Sequence, residues 1–157
     1  VALAGATAAL VLTPATAGAG SIPAAPITAT QVCGLVSPNE VLQLLNYVPA
    51  ISPGSPQPRA GGGACAWGTG MGETVGVSVG GYPSAFRLHP CRGSVGSRIA
   101  VGHWQGCASV SFANGESMTG FEGPYSVSIE PEVNVIGLPY QSAEEAVISR
   151  VFRELHA

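Results

Sequence analysis

The sequence predicts an α+β fold: an antiparallel sheet packed by an N-terminal and a C-terminal helix and tied by two disulfides. Three observations predict it. Helix-start signals precede apolar residues at helical spacing, once near each end of the domain. Between them lie short alternating segments broken by glycine- and proline-rich turns. Four cysteines, Cys33, Cys65, Cys91 and Cys107, follow an apolar leader. Thiols exported to an oxidising space pair, so these read as two disulfides.

Residues 1–12 are apolar, uncharged and alanine-rich. Twelve residues are too few to span a bilayer, which needs roughly 20. They fit the apolar core of a secretory signal. Pro14 ends the run, and Ala17-Gly18-Ala19 supplies the small-x-small pattern for cleavage. Residues 1–19 are therefore expected to be a signal peptide lacking its basic start, and 20–32 a flexible linker. Residues 33–157 are then a single secreted domain with no transmembrane helix.

The first helix is predicted over 38–46. Ser37-Pro38-Asn39-Glu40 is a capping box, in which the serine caps and the glutamate reaches back to its N–H. Val41, Leu42, Leu44 and Leu45 supply the apolar side. Residues 49–63 are so rich in turn formers that a loop is expected. Strands are expected at 64–69, 73–80, 99–104, 107–112 and 125–129. In 73–80, Val75, Val77 and Val79 alternate inward. Asn114-Gly115 is a turn signal that closes a hairpin back through Met118 and Phe121. The closing helix is expected to start at Ser142, with Glu145 completing a second capping box. Val147, Ile148, Val151, Phe152 and Leu155 form one apolar face.

Composition prunes function. The 157 residues contain no lysine and no aspartate, and the net charge is −3. A nucleic-acid partner needs a basic face and is not expected. Without lysine there is no P-loop, and without aspartate no EF-hand and no Ser-His-Asp triad. No cofactor is expected.

Pairing of four cysteines allows three connectivities. Cys33–Cys65 and Cys91–Cys107 are the expected pairs. The first joins the opening helix to the Cys-x-Trp strand. The second closes a loop of about 15 residues, worth roughly 3 kcal/mol in the chain-entropy picture.

Cys33-Gly34-Leu35, Ser37-Pro38-Asn39-Glu40-Val41 and Cys65-Ala66-Trp67, with the closing helix, resemble an actinobacterial family. It comprises secreted proteins and lipoproteins that carry domain of unknown function 3558. The resemblance covers roughly residues 31–157 and implies an extracytoplasmic α+β domain. The family has no assigned activity, so no catalytic residue carries over. This chain lacks a lipid-attachment cysteine and adds Cys91 and Cys107.

Several constellations have plainer readings. His89, Cys91, His103 and Cys107 hold zinc-type atoms, but at no standard spacing and in a compartment that oxidises thiols. Gly76-Val77-Ser78-Val79-Gly80 matches a nucleophile elbow, yet Ser78 sits inside an alternating strand, so a hydrolase is not expected. Glu130 and Glu132 flank Pro131 and read as solvated. The segment 92–106 carries Arg92, Arg98, His103 and Trp104, and arginine and tryptophan are residue types enriched at binding hot spots. These four are the candidate binding residues, against the plainer reading that Trp104 covers a core edge. The expected function is a non-enzymatic extracytoplasmic binding domain for a small ligand, an envelope component or another protein. The alternative is a secreted protease inhibitor presenting Arg59 or Arg98 on a constrained loop.

Overall fold

The computed structural model of the protein describes residues 26–45, 51–69, 72, 74–81, 91, 96–111, 115–132 and 140–157. The elements run α1 (Ala29–Leu35), α2 (Pro38–Leu44), β1 (Ser55–Arg59), β2 (Gly62–Gly68), β3 (Thr74–Gly81), β4 (Gly96–Val101), β5 (Trp104–Ser111), β6 (Gly115–Glu122), β7 (Tyr125–Glu132) and α3 (Tyr140–Leu155). The strands make one sheet in the order β1-β2-β3-β7-β6-β5-β4, and every neighbouring pair is antiparallel. This is the predicted α+β fold.

Helix α1 lies on β1 and β2, and α3 lies on β6 and β7. The core fills the space between these helices and one sheet face. Period-two alternation sends Val75, Val77 and Val79 of β3 into it, with Val127 and Ile129 of β7 alongside. From α3 come Val147, Ile148, Val151 and Phe152, the predicted apolar face. The opposite sheet face carries short polar side chains. Ser109 and Ser117 share a hydroxyl contact there at 2.8 Å, and Thr119 and Ser128 another at 2.9 Å.

Both expected disulfides are present. Cys33 in α1 bonds Cys65 in β2, with Cα atoms 5.0 Å apart. Cys91 bonds Cys107 in β5 at a Cα separation of 5.3 Å. Ala108, the residue after Cys107, belongs to the core cluster, so Cys107 points to the face away from the helices.

The Ser37–Glu40 capping box forms as predicted, and Arg150 of α3 docks onto it. Its guanidinium pairs with the Glu40 carboxylate and donates to the Leu35 carbonyl at the end of α1. One side chain therefore joins all three helices. Burial opposes ionisation of Glu40. Hydrogen bonds from the Ser37 hydroxyl, Arg150 and the Ser37 N–H, with the nearby Arg150 charge, outweigh it and hold the carboxyl below its ordinary value.

Four local expectations need correction. The segment read as linker already holds the first turn of α1, which Thr28 and Gln31 open with their own capping box. The loop at 49–63 carries β1, an exposed edge strand in which Pro56 and Pro58 are tolerated because only one side needs a full ladder. The strand expected at 99–104 ends at Val101, because Gly102 and His103 turn the chain and Trp104 begins β5. Helix α3 starts two residues before Ser142, so Ser142 lies inside it rather than at its N-cap. Glu145 instead accepts from Gln141 at 2.8 Å. Glu144, in the opening turns of α3, is fully buried.

Candidate functional site

Two tight turns and one helix end meet at one end of the sheet. Val101 pairs with Trp104 across the β4–β5 turn, and Glu122 with Tyr125 across the β6–β7 turn. Each turn opens on a glycine in the left-handed region, Gly102 at φ 57° and Gly123 at φ 56°. That is the first central position, where primed hairpin turns require positive φ. The C-terminal turns of α3 reach the same end. An added Cβ on Gly123 would lie 3.3 Å from His156 Cε1, so the imidazole rests on that turn. Tyr125 meets the same imidazole edge-on, with ring centroids 5.9 Å apart.

Between these parts lies an open groove of about 760 Å³, inside the size range of small-molecule sites. Its floor is formed by the edges of Trp104 and Phe152, whose rings are 6.2 Å apart and tilted by 47°. The Trp104 indole N–H donates to Ser149 Oγ at 2.8 Å, which fixes its orientation. Its ring lies over two glycines. Added Cβ atoms on Gly106 and Gly120 would stand 2.8 and 3.0 Å from indole carbons. The rim carries His103, Glu122, Arg153 and His156. Ser149, Phe152 and Arg153 of α3 and His156 just beyond it fall at i, i+3, i+4 and i+7, the spacing of one helix face.

The four predicted binding residues do not form one surface. Trp104 is 3% exposed and belongs to the core, so the plainer reading of it holds. Its edge still lines the groove, as does the exposed His103. Arg98 pairs with Cys107 and faces away from the helices, where its Nη2 donates to Gln105 Oε1 at 2.6 Å. Arg92 lies outside the described residues. Sequence reasoning missed Glu122, Ser149, Arg153 and His156. The Gly-Pro turn at 123–124 and the i, i+3, i+4, i+7 stripe were the signals available.

Other candidates resolve simply. Ser78 lies within β3, paired with Ala64 and Ser128, and the strand continues to Gly81 without the strand-to-helix turn an elbow needs. Cys91 and Cys107 are bonded to each other and offer no thiolates, and His89 lies outside the described residues. Among the described residues, no three His, Cys, Asp or Glu side chains converge as a metal site would require. Among them, too, no helix is long and apolar enough to cross a membrane.

No known protein family matches the chain, and no curated protein does. A solved structure of a GTP binding regulator from Thermotoga maritima aligns with 82% of this chain and 90% of its own, at 13% identity and a TM-score of 0.38. That likeness is too slight to carry an argument.

Proposed function

We propose that this protein is a non-enzymatic extracytoplasmic binding domain whose ligand site is the groove between the β4–β5 turn, the β6–β7 turn and the end of α3. The groove itself carries the reading: an apolar floor rimmed by a few polar side chains is the usual build of a small-ligand site. Export is part of the proposal. It is supported by the two disulfides and the signal-like leader. Membership of the actinobacterial family that 33–41 and 65–67 resemble belongs to the same proposal.

The test is an amide-shift titration of the oxidised protein with small amphipathic compounds. Binding should move resonances at 101–104, 122–123 and 149–156 together. Ligands that move only other regions contradict the assignment. Labelling of Ser78 by a fluorophosphonate probe would contradict the non-enzymatic reading.

The inhibitor reading is favoured by one observation at Arg98. This arginine is exposed in the edge strand β4, in the extended conformation proteases bind, beside the Cys91–Cys107 bond. Arg59 fits less well, because it runs directly into the tight turn at Ala60-Gly61. Inhibition of a trypsin-like enzyme that disappears in Arg98→Glu would establish this second reading.

A further inference from the structure

The sheet ends in two edge strands whose backbones offer different things. Each belongs to a hairpin closed by a two-residue turn, β1 at Ala60-Gly61 and β4 at Gly102-His103. In such a hairpin the pair flanking the turn is hydrogen-bonded, and bonded and non-bonded pairs then alternate. On an edge strand, residues of the non-bonded pairs aim their backbone polar groups out of the sheet. In β1 these are Pro58 and Pro56, paired with Gly63 and Cys65. Proline has no N–H, so that edge lacks both outward donors. Proline on an edge is a known defence against pairing with another chain. In β4 the outward residues are Ala100, Arg98 and Gly96, paired with Gln105, Cys107 and Ser109. All three keep an N–H and all are exposed. Strand β4 contains no proline, and its only charge is Arg98.

The side chains of β4 define what this edge fits. Ile99 and Val101 pack on the margin of the core and stay partly exposed. Arg98 is exposed on the other face, donates to Gln105 and makes no ion pair among the described residues. A guanidinium has five N–H donors, so a carboxylate directly across the edge meets an open fork. A second copy fits badly. A two-fold partner that pairs all three outward residues sets the Arg98 side chains of both copies face to face, where like charges repel. The neighbouring register that avoids this sets Gly96 against Gly102 of the turn and loses that pair. We propose that β4 takes an extended segment of another protein by antiparallel strand addition. The segment places apolar residues opposite Ile99 and Val101 and a carboxylate opposite Arg98. The proposal does not depend on the groove.

The experiment adds the end-capped peptide Val-Thr-Val-Glu-Val-Thr to the full oxidised chain, up to millimolar concentration, and follows amide shifts and affinity. In the proposed register the peptide's glutamate faces Arg98 and the valine before it faces Ile99. Shifts should centre on residues 96–101. Replacing the peptide's glutamate by lysine should weaken binding at least about threefold, and Arg98→Glu in the protein should reverse that preference. N-methylated peptides separate strand addition from simple adhesion. A methyl on the glutamate nitrogen, which donates to the Arg98 carbonyl, should weaken binding at least about fivefold. A methyl on the preceding valine nitrogen, which points away from β4, should leave binding unchanged. Ala100→Pro should abolish binding without removing a bond of the β4–β5 ladder, because it gives β4 the defence that β1 has. Equal effects of the two methyl groups would overturn strand addition. Equal binding of the glutamate and lysine peptides would overturn the carboxylate. Self-association in sedimentation that disappears in Ala100→Pro would overturn the peptide partner in favour of a second copy. Absence of shifts at 96–101 would overturn this edge as a docking surface.

Discussion

Glycine-to-alanine substitution should have opposite signs at two places in this fold. Gly120 lies in β6 beneath α3, where an added Cβ would stand 2.6 Å from Ile148 Cγ2, 3.0 Å from a Trp104 ring carbon and 3.1 Å from a Phe152 ring carbon. Carbon atoms rest about 3.5–4.0 Å apart, so Ile148 must retreat by about an ångström. Overpacking of this kind costs about 1–3 kcal/mol. At roughly 3–5 °C per kcal/mol for a domain of this size, Gly120→Ala should lower the melting temperature by about 5–10 °C. Gly34 is exposed in α1 with nothing within 4 Å of an added Cβ. There alanine only restricts the unfolded chain and favours helix, a gain of roughly 0.5–1 kcal/mol. Denaturant unfolding and calorimetry of both variants read the two signs. A double-mutant cycle with Ile148→Ala completes the assay, because removing Cγ2 should relieve much of the Gly120→Ala penalty. A neutral Gly120→Ala, or strict additivity with Ile148→Ala, would refute the seating of α3 on the sheet at this glycine.

Three further outcomes follow from the contacts described. Glu40 titrates below its ordinary value in the folded protein, so its contribution is present above the unfolded carboxyl value of about 4.3 and is lost as pH falls through the folded one. Stability measured from pH 7 to 3 should therefore fall in the acid limb, and Glu40→Gln should lower it at pH 7 and flatten that limb. Arg150→Ala leaves Glu40 and the Leu35 carbonyl without their charged donor and should cost roughly 1.5–3 kcal/mol by urea unfolding. Replacing both cysteines of a bridge should cost more for Cys33–Cys65 than for Cys91–Cys107. Their sequence separations of 32 and 16 give about 3.7 and 3.1 kcal/mol from chain entropy, and Cys65 also leaves a core gap.

What was readable in the sequence was what local chemistry decides. The Ser37–Glu40 box, the Val75-Val77-Val79 alternation and the α3 apolar face each state a local rule that the fold keeps. Helix α1 was missed because its leading residues, Ala29 and Thr30, follow a proline-rich stretch, and its Thr28–Gln31 box uses glutamine. Strand β1 was missed because two prolines in five residues suit only an edge, and edge position is a property of the whole sheet. Burial of Glu144 runs against its charge but follows its position, because it precedes Ile148 by four residues and so shares its face. The groove was illegible for a related reason. Its walls come from two hairpins and a helix end, and only the strand order β7-β6-β5-β4 sets those turns side by side. Trp104 was noticed as a residue type, but its indole lies flat because Gly106 and Gly120 leave room for it.

The most direct test of the central claim is the native intact mass of the protein recovered from its own host's culture medium, compared with its denatured mass. The account predicts a chain four hydrogens light, from its two disulfides, carrying a small non-covalent adduct that is lost on denaturation. A protein retained in the cytoplasm with free thiols, or an exported one whose native and denatured masses agree, would contradict it.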